Sequence, residues 1–235
     1  IVMEGAQAFM RRYADLAEKL YAEHAEASLA EVARVCRKLA EQPPETYHEA
    51  LQATWFLYVI LQMEGNASSF SPGRMDQYLF PYFERSMEAG MTLYEALELT
   101  ECLWLKFNQV VYLRNSNSAR YFAGFPIGFN VAIGGQNADG SDASNALGYL
   151  FLQAQSHILL PQPNLSLRMY KNSPAELLEA ATHVIAKGSG MPQVFNDEAV
   201  IPALEAHGVS HEDAMDYAIV GCVELTTQGN GLNWS

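Results

Sequence analysis

The sequence predicts an α/β protein, with a mainly helical region over residues 1–113 and strand–helix alternation over 122–235. Three observations carry that reading. Apolar residues recur at three- and four-residue spacing through the first region. From about Phe122 the rhythm changes to short apolar or alternating runs. Helix patterns lie between those runs, and such alternation implies helices packed outside a sheet or barrel.

The elements follow in order. Val2, Ala6, Phe9, Met10, Tyr13, Leu16, Ala17 and Leu20 make one apolar helix face. Ser28-Leu29-Ala30-Glu31 has the form of a capping box, and Leu29, Val32, Val35, Cys36 and Leu39 continue one stripe. Pro43-Pro44 ends that helix, because proline lacks the N–H and clashes with the preceding turn. Thr46 to Met63 is apolar nearly all round in its second half, which predicts a buried helix. Residues 65–73 form a small-residue loop. Thr92-Leu93-Tyr94-Glu95 is a second capping box, opening a helix towards Leu113.

Beyond Phe122, the segments Phe129–Gly135, Asn164–Tyr170, Gln193–Asn196 and Ala218–Val223 read as strands. Asn145–Ile158, Pro174–Lys187 and Asp197–His207 read as helices. Pro174 takes the first helical position of its helix, and Gly188 stands just past the end. No fixed-period repeat and no low-complexity segment interrupts the pattern.

Composition narrows the function. The 235 residues are 49% apolar and 17% charged, an ordinary globular balance. The net charge of −13 comes with no basic run, which argues against nucleic acid, since phosphate neutralisation needs clustered Lys and Arg. The longest apolar stretch, Trp55–Gln62, is far short of the ~20 residues a bilayer requires. Three distant cysteines, Cys36, Cys102 and Cys222, suggest a reducing compartment and no disulfide framework. The chain opens on Ile1 directly into a helix pattern and closes on Gly-Asn-Gly-Leu-Asn-Trp-Ser. Both ends read as those of a piece of a longer chain.

Chemistry concentrates at Gly221-Cys222-Val223-Glu224, after the apolar run Tyr217–Val220. In α/β folds, loops at strand C-termini are where sites are built. Period-two alternation would put Cys222 and Glu224 on one face, about 7 Å apart. A thiol and a carboxyl facing one pocket can divide labour between attack and proton transfer. The plainer reading is a buried structural cysteine beside a surface glutamate. Conventional thiolate catalysis needs a histidine base, and none of His24, His48, His157, His183, His207 or His211 shares a local motif with Cys222. No Cys or His spacing fits a metal site; His207 and His211 straddle a Gly-Val-Ser break. Gly134-Gly135 followed by Asp139-Gly140 lacks phosphate-loop spacing and reads as a turn. Asn196-Asp197-Glu198 offers either a cation site or, better, a helix N-cap with favourable first-turn charges.

Several motifs in one order resemble the glycyl radical enzymes. They are Ser71-Pro72-Gly73-Arg74-Met75-Asp76-Gln77-Tyr78, Gly134-Gly135 with Asp139-Gly140, Gln162-Pro-Asn-Leu-Ser-Leu-Arg168, Met191 to Glu198, and Gly-Cys-Val-Glu. More narrowly, the chain resembles the pyruvate formate-lyase-like members that act as dehydratases and lyases, and the resemblance covers essentially all of it. It implies that residues 1–235 are an internal fragment of one domain: a helical region, then part of a ten-stranded α/β barrel ending at the cysteine loop.

By that resemblance, Cys222 would carry a thiyl radical and Glu224 would be the general base. Ser69 and Ser68, in the loop before Ser71, would line the substrate pocket. No cofactor is expected on the chain itself. A glycine outside the fragment would hold an organic radical, installed by an iron–sulfur activase using S-adenosylmethionine. The expected partners are a small polar substrate, that activase and, at full length, a second copy in a homodimer. Nucleic acid, membrane and metal are not expected, and the expected location is cytoplasmic. The expected reaction is hydrogen abstraction followed by elimination, with the fragment alone inactive.

Two departures narrow the reading. Pyruvate formate-lyase has adjacent cysteines where Gly221-Cys222 stands, so formate C-acetyltransferase activity becomes the alternative. Many diol dehydratases have His-Ser where Ser68-Ser69 stands, and Pro-Gln where Leu225-Thr226 stands. A third reading is a non-catalytic domain with Cys222 as a core thiol.

Overall fold

A computed structural model of the chain describes residues 1–66, 69–110, 113–122 and 128–228. The chain divides into two units, Ile1–Gly65 with Tyr82–Thr92, and Asn66–Pro81 with Leu93–Ser235.

The first unit is helical: α1 (Val2–His24), α2 (Ala27–Leu39), α3 (Tyr47–Gly65) and most of α5 (Phe80–Glu88). Its core brings together Met10 and Ala14 from α1, Val35, Cys36 and Leu39 from α2, and Phe56 from α3. Met10, Val35, Cys36 and Leu39 lie on the stripes legible in the sequence; Ala14 does not, and Val2, Tyr13, Leu16 and Val32 of those stripes are exposed. Phe9, Tyr13 and Phe56 meet edge to face, with ring centroids 5.0–6.1 Å apart. Glu49 is buried in the same unit. Its carboxylate takes Lys38 Nζ at 2.9 Å, Arg34 Nη1 at 3.1 Å and the backbone N–H of Glu45 at 2.9 Å. Burial alone would raise its pKa, but these donors hold it down to about 2.

Two expectations fail here. The Ser28–Glu31 capping box does not form, because α2 starts at Ala27 with Glu26 as N-cap and places Ser28 inside the first turn. Glu31 is then one turn from Arg34 and accepts from its Nε and Nη2 at 2.8 and 2.7 Å. The second half of α3 is not enclosed. Leu57, Leu61 and Met63 are 49, 45 and 61% exposed. Ala50, Leu51, Phe56 and Tyr58 are buried, yet Leu57 and Leu61 continue the stripe of Ala50 and are not, so apolar character all round does not secure burial along the whole helix.

The second unit contains α4 (Met75–Tyr78), α6 (Leu93–Phe107), α7 (Ser116–Phe122), α8 (Ala146–Ile158), α9 (Ala175–Ile185), α10 (Asp197–Ala206) and α11 (His211–Met215). Its strands are β1 (Asn130–Gly134), β2 (Asn164–Met169), β3 (Gln193–Asn196), β4 (Tyr217–Val220) and β5 (Glu224–Thr227). Helix α6 begins directly after Thr92, as expected, but ends at Phe107 rather than towards Leu113. Helix α8 follows Asn145, whose side chain accepts from the N–H groups of Leu147 and Gly148. Helix α9 opens after Pro174 in the N-cap position, one residue earlier than the first-turn proline the sequence suggested.

Strands β1, β2 and β3 form a parallel sheet in that order, joined through α8 and α9. Asn130 faces Asn164, Ala132 faces Ser166, and Ser166 faces Gln193. On the free side of β1, Gly73 makes a parallel bridge to Val131. The pleat sorts the residues. Val131, Ile133, Leu165 and Leu167 share one face, while Asn130, Ala132, Asn164, Ser166 and Arg168 share the other. Near the first face, Trp104 of α6 meets Phe151 of α8 at 5.0 Å, and Phe107 meets Phe129 at 6.0 Å.

The final strand expectation needs correction. The run Ala218–Val223 is not one strand. β4 stops at Val220, and Gly221, with φ +59°, turns the chain into antiparallel β5. Only glycine adopts that conformation without Cβ strain. Tyr217 and Ile219 of the hairpin pack with Ala132, Ile201, Ala214 and Met215, laying β4 over the polar sheet face.

Candidate active site

The turn between β4 and β5 is the centre of the site. Three segments converge on it: the strap 69–76, the entry to β1, and the start of β2. Ser71 Oγ accepts the Gly221 N–H at 3.0 Å and the Asn130 N–H at 3.1 Å. Asn130 Nδ2 and Asn164 Nδ2 each donate to the Gly221 carbonyl at 3.3 Å. Ser69 Oγ donates to the Gly128 carbonyl at 2.8 Å. Gly128 lies so close beneath the turn that a Cβ there would come within 3.2 Å of the Gly221 backbone.

Cys222 sits at the tip of this turn, exposed among the described residues. Glu224 is the first residue of β5 and is also exposed. The two are therefore not alternate positions of one strand, as the sequence reading had them. Cys222 lies within the hairpin bend and Glu224 on the strand that leaves it. The bend brings the Glu224 carboxylate back over Gly221. It accepts the Val223 N–H at 3.0 Å, and a Cβ built on Gly221 would lie 2.7 Å from Glu224 Oε2 and 3.5 Å from Ser69 Oγ. Ser69 thus meets the turn that carries Cys222 and Glu224. Ser68 lies outside the described residues. Cys36 sits in the helical core of the first unit, where burial raises its pKa to about 11. Cys102 is exposed on α6.

The base of the hairpin is anchored by buried charge. Arg168 and Asp197 are both fully buried, with Nε to Oδ1 at 3.0 Å and Nη2 to Oδ2 at 2.9 Å. Arg168 also donates to the carbonyls of Tyr217 at 2.8 Å and Met215 at 2.9 Å, and stacks 3.9 Å over the Tyr217 ring. Tyr217 OH donates to Asp197 Oδ1 at 2.7 Å. A second arginine, Arg74, ties Asp216 at 2.8 Å to the Gln136 carbonyl at 3.1 Å. Burial lowers its pKa, and so does the nearby Arg168. Asp76, fully buried, accepts the Gly134 N–H at 2.8 Å, and burial raises its pKa to about 6.

These anchors were missed as functional features in the sequence, although the quoted motifs contain Arg74, Asp76, Arg168 and Asp197. The available signal was an arginine inside the apolar run Asn164–Met169. Asn196 does cap α10, accepting the Glu198 N–H at 3.0 Å, but Asp197 turns inward to Arg168 rather than serving the first turn alone. Gly135 stays bare for a reason unrelated to phosphate. A Cβ there would lie 2.7 Å from Arg168 Nε. Among the described histidines, His157 pairs with Glu101 and His211 with Glu205, each exposed. Among the described residues no group of three or more His, Cys, Asp or Glu side chains is placed to hold a metal.

The sequence matches the pyruvate formate lyase-like family over residues 1–235. It is 40% identical, over 97% of its length, to the "Probable dehydratase YbiW" of Escherichia coli K12, covering 29% of that protein. It is 37% identical to the isethionate sulfite-lyase of Nitratidesulfovibrio vulgaris, over 95% of this chain and 28% of that protein. In structure it superposes on the glycerol-bound B12-independent glycerol dehydratase of Clostridium butyricum with a TM-score of 0.93 and 38% identity, over 98% of this chain and 30% of that one. The chain therefore spans less than a third of the length of these relatives. With a helical first region, a parallel α/β sheet and a Gly-Cys-Val-Glu hairpin all accounted for, the chain belongs to the pyruvate formate lyase-like family, in its glycyl radical dehydratase and lyase branch.

Proposed function

We propose that, in a full-length enzyme containing this chain, Cys222 serves as a thiyl carrier that abstracts a hydrogen atom from a small polar substrate and drives elimination. The leaving group would depart from carbon as in a dehydratase or a C–N, C–S or C–O lyase. A protein-borne glycyl radical, installed by a radical S-adenosylmethionine activase, would supply the one-electron oxidation of the Cys222 thiol.

The observation supporting this reading is the Glu224 carboxylate folded over the bare Cα of Gly221, beside Ser69 Oγ. It offers a proton acceptor on the hairpin that carries a single thiol, and a hydroxyl to hold substrate. The Cys222 sulfur takes the hydrogen of a substrate C–H bond and becomes S–H. A carbon radical bearing a hydroxyl is more acidic at that hydroxyl, and Glu224 accepts its proton. The leaving group departs with the bonding electron pair, and the product radical recovers a hydrogen atom from Cys222. Ser69, with Ser68 beside it in sequence, orients the polar substrate. A full-length homodimer in the cytoplasm is the expected setting.

Formate C-acetyltransferase chemistry is disfavoured by the same geometry. A side chain at position 221 would force the Glu224 carboxylate away, so a second cysteine and this carboxylate position exclude one another. The test uses the full-length enzyme, activated anaerobically. Cys222→Ser should lose all turnover while the glycyl radical signal in electron paramagnetic resonance persists. Glu224→Gln should lower kcat by about 10²–10⁴-fold. Turnover retained by Cys222→Ser would overturn the reading.

A further inference from the structure

We infer that Ser71 is a positioning residue: with Asn130 and Asn164 it clamps the two peptide units that flank the Gly221 Cα and so fixes where Cys222 points. The inference rests on the reading of Cys222 as thiyl carrier. It concerns residues that never reach the reacting atoms.

The hydrogen-bond inventory carries it. A serine hydroxyl can accept twice and donate once. Ser71 Oγ accepts from Gly221 N–H at 3.0 Å and from Asn130 N–H at 3.1 Å, which fills its acceptor capacity. Ser69 has committed its proton to the Gly128 carbonyl at 2.8 Å. Ser71 is therefore the donor of its 3.3 Å contact with Ser69 Oγ or its 3.4 Å contact with the Gly128 carbonyl. One hydroxyl thus joins the strap, the entry to β1 and the catalytic turn. Across the Gly221 Cα, in the following peptide unit, the Gly221 carbonyl receives two side-chain amides. Asn130 and Asn164 are register partners on adjacent parallel strands, both buried, so their amides approach the carbonyl together from a rigid base.

The turn needs such a clamp. Gly221 is the most permissive residue in conformation and sits at φ +59°, directly before Cys222. Residues 221–223 belong to neither strand. Without outside partners, rotation at Gly221 would swing the Cys222 sulfur, and a displacement of about 1 Å at a reacting atom can cost about 10²-fold in rate. Replacing Ser71 by alanine leaves two N–H groups without their acceptor, one on the turn and one on the sheet.

The experiment uses the full-length enzyme with Ser71→Ala, Ser71→Thr and Asn164→Ala variants, read in two ways. Hydrogen exchange reports the Gly221 amide directly and needs no activity. Ser71→Ala should accelerate it by at least tenfold, and Ser71→Thr, which keeps the hydroxyl, should restore protection to within about threefold. Steady-state kinetics on the activated enzyme should show kcat lowered by about 10–100-fold in Ser71→Ala. KM should stay within twofold and glycyl radical content should be unchanged. Asn164→Ala, which removes one of two carbonyl donors, should fall between parent and Ser71→Ala in both readouts, and it decides the matter if Ser71→Ala fails to fold. Unchanged Gly221 exchange, or faster exchange with unaltered kcat, would overturn the inference. A parent enzyme whose turnover survives Cys222→Ser would instead overturn the functional reading, and the exchange measurement would still decide the clamp.

Discussion

The Arg168–Asp197 pair should be the costliest single interaction to break in the second unit. Consider Asp197→Asn. The shape is nearly kept, and the asparagine carbonyl can still accept from Tyr217 OH, now at 2.7 Å. What is lost is the negative charge, and with it the Oδ2 acceptor of Arg168 Nη2 at 2.9 Å; Nε, at 3.0 Å from Oδ1, keeps only a neutral oxygen. Hydrogen bonds between charged groups are worth about 1.5–3 kcal/mol each. The remaining partners of Arg168 are all neutral: that amide oxygen and the carbonyls of Tyr217 and Met215. A fully buried guanidinium would thus be left without its counter-charge, and such changes cost about 3–5 kcal/mol. Because Arg168 holds the start of β4, the loss should appear first in hairpin opening. Hydrogen exchange of the β4 amides in the full-length protein measures that opening, and its free energy should drop by about 3–5 kcal/mol. A double variant, Arg168→Met with Asp197→Asn, removes the orphan charge and should recover most of the loss. An Asp197→Asn protein whose β4 opening changes by less than about 1 kcal/mol, within the range of an exposed pair, would refute the reasoning.

Four further outcomes are expected. The Glu49 carboxyl is held at about 2 against an ordinary 4.5, so its contribution is complete above pH 4.5 and is lost as pH falls towards 2. Glu49→Gln should therefore destabilise the helical unit by up to about 3 kcal/mol at pH 7, with the difference shrinking in an acid unfolding series. Asp76 has the opposite sign. Its folded value of about 6 exceeds the ordinary 3.8, so it weakens the fold increasingly as pH rises through that window. Asp76→Asn should then gain up to about 3 kcal/mol relative to the parent above pH 6 and nothing below pH 4, and parallel pH profiles of unfolding would refute it. Gly221→Ala should displace the Glu224 carboxylate and lower kcat of the full-length enzyme at least tenfold, which steady-state assays check directly. The 235-residue chain alone, mixed anaerobically with activase and S-adenosylmethionine, should give neither a glycyl radical signal nor product.

Pattern alone made much of the helical stripes, the first three strands and the Asn196 cap legible. These depend on residue spacing and on a side chain's reach to its own nearby backbone, both local quantities. The Gly-Cys-Val-Glu motif was legible as a chemical pair for the same reason. Local reasoning failed at Glu31 because α2 starts at Ala27, ahead of the expected cap. It failed at Asp197 because Arg168, 29 positions away, is a stronger partner for a carboxylate than the helix turn.

The hairpin is the clearest division between the two kinds of information. By itself the sequence determined that a thiol and a carboxyl stand two positions apart after an apolar strand, with one sulfur rather than two. Alternation then placed them along one strand face. Only the tertiary structure decided that Gly221 turns the chain, that Glu224 folds back over it, and that Ser71, Asn130 and Asn164 hold the turn from segments 57 to 150 positions away. The physical reason is that a glycine accepts either hand of φ at little cost. Its conformation is therefore set by the hydrogen bonds that distant segments bring to it, and those exist only once the sheet has formed.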